Sequence, residues 1–313
     1  MKVPTIFRQT TRLFRESFQG FVSDNALKLS AALSYYTIFS LPPLLIIVIT
    51  LCGIFFGPEA VRGEIFGQID GLVGAQAALQ IEETIRNVHL SNSNTFATTA
   101  GVIILIIGAS GVFVEIQDSI NLIWGIAAKP NRGLIKFLRN RLMSFSMIAS
   151  VGFLLLVGLV VNSMMDLLGH ELERFLPKDT VYLIYVVNLA LVFAIITILF
   201  TIIFKTLPDA KISSKDCVIG ASFTAILFML GKFAIGAYLG RSPIVSIYGA
   251  AASVILILGW VYYSAIILYF GAEFTKAYAH IHGDKIIPYE YSVKVSKYQV
   301  ETEPDGSKRS VKL

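Results

Sequence analysis

Six stretches of this sequence are apolar and almost free of charge, and they constrain the fold more than any other feature. They are Leu29 to Gly57, Thr95 to Val114, Met143 to Asn162, Val181 to Phe204, Cys217 to Leu239 and Gly249 to Gly271. A helix needs about 20 apolar residues to cross the hydrocarbon core of a bilayer. In lipid every backbone amide must find its partner within the segment, so runs of this length read as membrane-spanning helices. Composition agrees. The chain is 55% hydrophobic and 15% charged, with a mean hydropathy of +0.70, whereas a soluble domain is about 25% charged. A water-soluble core cannot hide so much apolar chain. The first residues are polar and basic, and the first apolar run starts too deep and runs too long for a secretory signal.

Lys and Arg placement sets the orientation. Five precede the first span. Five more (Lys129, Arg132, Lys136, Arg139, Arg141) join the second span to the third, and three (Lys205, Lys211, Lys215) join the fourth to the fifth. Seven lie in the tail, bringing this side to 20. The opposite side holds only Arg62, Arg86, Arg174, Lys178 and Arg241. The expected protein is therefore all-α, crosses six times and keeps both termini in the cytoplasm. The same count accounts for the net charge of +5. These basic residues serve topology and phospholipid contact, and no nucleic-acid partner is expected.

Between the spans, Ile6 to Phe21 sets Phe7, Phe14, Phe18 and Phe21 against Arg8, Arg12 and Arg15. That pattern predicts an amphipathic helix lying in the cytoplasmic interface. Asp24 is placed to cap the next helix, which is expected to open at Asn25. Pro42 and Pro43 are expected to kink the first span, because each removes an amide donor and crowds the preceding turn. The first outer connection, 58–94, carries two apolar stripes, Val61, Ile65, Ile69 and Leu72, then Leu79, Ile81, Ile85 and Val88. They predict two short amphipathic helices. The tail alternates over Tyr289 to Val300, as a short strand would, and Pro304 to Val311 reads as disordered. The division is a transmembrane domain over 1–280 and a polar, flexible cytoplasmic tail over 281–313.

Ionisable side chains inside spans are costly and become functional candidates by default. Lys232 lies roughly 6 Å to the outer side of the fifth span's centre, at 1.5 Å per residue. Its stem either snorkels to the headgroups or enters a polar cavity, with Asp166 as a plausible counter-charge. Glu115, Asp118 and Asn121 follow the second span at helical spacing, and Glu273 ends the sixth at a similar depth. Either they pair with basic residues at helix ends, or they form an inner gate or cation site together with Asp24. Tyr36 and Tyr248 are further candidates for lining a cavity. Gly236 and Gly240, with Gly220 and Gly231, suit close helix packing. Cys52 and Cys217 read as buried free thiols. His89, His170, His280 and His282 are scattered, and no nucleophile-elbow, zinc-protease or phosphate-loop motif is present. No metal, no cofactor and no enzymatic activity are expected.

Asp24-Asn-Ala-Leu-Lys-Leu-Ser-Ala-Ala-Leu-Ser-Tyr-Tyr-Thr-Ile-Phe-Ser-Leu-Pro-Pro43 resembles the opening signature of the YihY/BrkB membrane proteins. Ser246-Ile-Tyr-Gly249, Gly259-Trp-Val-Tyr-Tyr263 and Gly271-Ala-Glu273 resemble its closing signature, and Leu207-Pro208 followed by Gly220-Ala the segment between. The resemblance covers residues 5 to 280. It implies a six-helix protein of the bacterial cytoplasmic (inner) membrane and supplies no agreed activity. A ribonuclease BN label once attached to the family finds no nuclease site in these residues. The function expected is transport of a small solute, ion or lipid, the alternative a non-transporting scaffold or accessory subunit. Membrane lipids are the expected partners, and a homo-oligomer is left open.

Overall fold

The computed structural model describes residues 5–57, 95–129, 178–241, 252–283, 285–296, 298–302 and 308–312, with 62, 63, 66, 67 and 79. The third expected span and almost all of the outer connection 58–94 lie outside the described residues. The chain is mostly helical. Among the described residues the long helices are α1 (Thr5–Ser23), α2 (Ala26–Phe56), α3 (Thr95–Trp124), α4 (Lys178–Thr206), α5 (Ser214–Arg241) and α6 (Ala252–His282). Among the described residues, four helical stretches are long and apolar enough to cross a membrane: Ala26–Ile47, Val186–Thr206, Ser214–Lys232 and Val254–His282.

α6 is the hub, packing against α1, α2, α3 and α5, while α2 packs on α3 and α4 on α5. The buried core gathers Leu33, Phe113, Ile120, Phe204, Ala221, Leu268 and Tyr269 from five of these helices. Phe39, Ile104, Val186 and Leu230 instead point outward and are more than half exposed. Apolar residues inside and outside are what a bundle dissolved in lipid requires, since packing alone must hold its helices together.

That packing depends on small residues. On α5, a Cβ at Gly220 would overlap Thr275 of α6, and on α6 a Cβ at Gly271 would overlap Thr224 of α5. Each threonine lies four residues after a glycine of its own helix and donates to that glycine's carbonyl, both at 2.7 Å. The reciprocal Gly–Thr contacts bring α5 and α6 together while returning both hydroxyls to their own backbones. On α3, Gly108 faces the Pro43 ring and Gly111 faces the Ser40 hydroxyl of α2.

α2 stays helical through Pro42 and Pro43, and three other details depart from the sequence expectations. Neighbouring helices make such prolines tolerable in a membrane helix, and here the Pro43 ring nests over Gly108. Asn25 does not open α2. It is a turn residue with φ of 53°, a left-handed conformation that asparagine tolerates better than most residues. α6 continues well past Gly271, to His282. The tail, finally, is strand-rich. β1 (Ile126–Ala128) pairs antiparallel with β4 (Ser292–Lys294), and β2 (Ala210–Lys211) with β3 (Ile287–Pro288). β5 (Tyr298–Thr302) and β6 (Lys308–Lys312) form a hairpin, so the stretch expected to be disordered contributes a strand. Cross-strand hydrogen bonding overrides a polar composition there, because backbone amides pair whatever side chains they carry.

Candidate functional site

Of the buried acidic side chains Asp24, Asp209, Asp216 and Glu273 near the end of the bundle where α6 terminates, two organise the contacts between segments. The first is Glu273. Its backbone is fixed in α6, two residues beyond the Gly271 that lets α5 approach. Its side chain is covered by α1, where Gly20 comes so close that a Cβ there would overlap Oε2. Glu273 is 1% exposed. Lys276, one helical turn on, donates to Glu273 Oε2 at 3.2 Å and to Asp24 Oδ2 at 3.4 Å. Asp24, in the turn between α1 and α2, is buried as well. One ammonium thus serves two carboxylates from two parts of the chain. Among the described residues no donor reaches Glu273 Oε1, and the Asp24 carboxyl lies within hydrogen-bonding reach of the Glu273 side chain.

The second carboxylate is Asp209, also 1% exposed, in the connection between α4 and α5. Gln117 Nε2 of α3 donates to its Oδ1 at 3.1 Å, and Asn121 Nδ2 to its Oδ2 at 3.0 Å. Its own amide donates to Asn121 Oδ1 at 2.8 Å, closing a two-way pair. The Asp209 carbonyl accepts from Ser292 Oγ at 2.6 Å and from the Tyr289 amide at 3.1 Å. Nearby, Val295 N donates to Gly125 O and Lys129 N to Tyr291 O, which ties the tail to the end of α3. Trp124 Nε1 donates to Ala272 O of α6 at 3.2 Å.

The sequence candidates divide accordingly. Asp24 and Glu273 come together, joined by Lys276, which was counted only for topology. Asn121 belongs instead to the Asp209 network. Glu115 is half-buried, accepts from Ser119 at 3.5 Å and lies beside the buried Tyr269, whereas Asp118 and Tyr36 are exposed. Lys232 is exposed on α5. Its neighbour Gly231 faces Tyr263, ten residues before Glu273, so about 15 Å of helix separates the two levels. Tyr248 and Asp166 lie outside the described residues. No three His, Cys, Asp or Glu side chains gather at metal-binding spacing among the described residues.

Asp209 and Gln117 escaped the sequence reading. The available signal was Gln117 and Asn121 at i and i+4, two amides stacked on one helical face. The motif Leu207-Pro208-Asp209 held the acceptor, but nothing local says that its carboxylate turns inward.

Comparison with known proteins decides the family. The family model described as virulence factor BrkB matches residues 17–288. This chain belongs to the BrkB family. Its relatives include a UPF0761 membrane protein of Saccharophagus degradans, 26% identical over 86% of this chain and 60% of that protein. A second, from Pseudomonas paraeruginosa, is 29% identical over 80% of this chain and 59% of that protein. A third, from Pseudoalteromonas atlantica, is 26% identical over 84% of this chain and 85% of its own. The chain thus spans about three fifths of the length of the first two. No solved structure matches. Asp24, Asp209, Glu273 and Lys276 all fall within the BrkB match, whereas Ser292 lies beyond its end. The chain is a multi-pass membrane protein of this family.

Proposed function

We propose that this BrkB-family protein crosses the cytoplasmic membrane six times with both termini inside, and moves a small solute, ion or lipid. On this reading Asp24, Glu273 and Lys276 form the inner gate. The observation that carries it is the buried pair Glu273 and Asp24, two carboxyls within hydrogen-bonding reach of each other that share the single Lys276 ammonium. With all three groups ionised the trio is net negative. A buried, unbalanced carboxylate is poor material for a purely structural joint and suits passage of a proton or another cation. The 20 to 5 distribution of basic residues supports the orientation. Lys232, exposed on α5, fits the snorkelling role, outside the pathway. The chain is read as catalysing no covalent reaction, and the old nuclease label is set aside.

Proteoliposomes test this proposal. Proton movement is followed with an entrapped pH dye, and lipid movement with headgroup-labelled phospholipid. The expected result is flux above protein-free vesicles in at least one assay, cut tenfold or more by Glu273→Gln. Wild-type protein that moves neither probe, and co-purifies with a stoichiometric partner, would favour a scaffold.

A further inference from the structure

α1 presents two different faces. Leu13, Ser17 and Phe21 are buried against the bundle. Phe21 stacks edge-on against Phe270, Phe14 touches Phe223 of α5 and Phe274 of α6, and Gly20 lies over the Glu273 carboxylate. From Phe21 against Phe270, through Gly20 over Glu273, to Leu13 among Phe274 and Ala277 and Glu16 beside His280, α1 packs along the last turns of α6 and covers the carboxylate there.

The adjoining face is apolar but uncovered. Phe18 is 62% exposed and Val22 60%, and Leu27 and Tyr35 continue the strip onto α2. Arg8, Arg15 and Lys28 are exposed beside it. An exposed apolar strip edged by cations, continuous with the outward face of a membrane helix, matches one occupant, the headgroup zone of a bilayer containing anionic phospholipid.

We propose that α1 is a lid over Glu273, held shut by an anionic phospholipid surface bound along Phe18, Val22, Arg8 and Arg15. This rests on the membrane orientation proposed above but not on transport. One helix touches the membrane surface on one side and the gate carboxylate on the other, so lipid charge sets how often Glu273 meets water. Each basic residue near an anionic leaflet strengthens binding on the order of fivefold, so the two arginines together act at up to roughly 25-fold, and tenfold is within their reach.

The test uses the full chain in nanodiscs of phosphatidylcholine, alone or with about a quarter phosphatidylglycerol, a fraction that sets up a surface potential. A water-soluble carbodiimide is added, and modification of Glu273 is timed by mass spectrometry. Labelling of the wild type is expected to slow about tenfold in the anionic discs. The Arg8→Gln/Arg15→Gln variant should be labelled equally fast in both, as should Phe18→Ser. Amide exchange in α3 and α6, unchanged across variants, checks the fold. Equal wild-type rates in the two lipids would overturn the proposal. So would inorganic phosphate reproducing the slowing in neutral discs, since the ligand would then be a free anion. Because no flux is measured, loss of the transport reading leaves the result standing.

Discussion

Glu273 and Asp209 are buried to the same degree, stand near the same end of the bundle, and are held in opposite ways. Asp209 is met by neutral amides on both carboxylate oxygens, and its backbone is bonded on both sides. Glu273 is met by a single lysine that it shares with Asp24 and by the Asp24 carboxyl itself, one acid held against another. The first arrangement joins three segments and leaves little to gain from rearranging. The second sets two acids against one cation and lies under α1. Burial alone does not separate a structural carboxylate from a working one; the supply of donors does.

If that distinction holds, Asp209→Ala should have the largest effect. It strands two buried amide donors and is expected to cost about 3 kcal/mol, read as a lower unfolding temperature in detergent. Undiminished stability would mean that Asp209 is no pin. Lys276→Met comes next, at about 1–2 kcal/mol. It leaves two carboxylates without their cation, but the lysine is more than a third exposed and water screens part of the loss. Adding Glu273→Gln should restore most of it. Ser292→Ala removes one bond from the tail and should cost about 1 kcal/mol, with faster amide exchange over 285–296. Glu273→Gln alone should change stability by less than about 1 kcal/mol while cutting flux tenfold or more, the reverse of Asp209→Ala. Smallest of all, Arg12→Gln breaks only an exposed pair with Glu16 at 2.7 Å, and should shift melting by under about 0.5 kcal/mol.

Much of the fold was legible before any coordinates. Apolar runs located α2, α3, α4, α5 and α6 because helix length in lipid is fixed by bilayer thickness. Their ends were less legible. α3 and α6 both run on past their apolar stretches, into segments that carry Gln117, Asn121 and Glu273. Polar residues end a hydropathy signal without ending a helix. The α1 pattern was visible, but its docking was not, since the Gly20 approach to Glu273 depends on two residues some 250 positions apart. The same holds for Lys276, which in sequence is one more lysine of the C-terminal cluster. The tail's alternation signalled a strand near Tyr289 to Val300, yet its partners at 126–128 and 210–211 are too short to announce themselves.

By itself, then, the sequence determined the solvent. Apolar length, scarce charge and lopsided lysines and arginines commit this BrkB-family chain to a membrane, because hydrocarbon leaves it few other ways to satisfy its backbone. Only the tertiary structure decided which polar groups meet. Asp24, Asp209 and Glu273 are alike on paper. Glycine contacts and helix crossings surrounded one with amides and left two to share a lysine, for donor supply belongs to the whole packed chain and not to any one stretch of it.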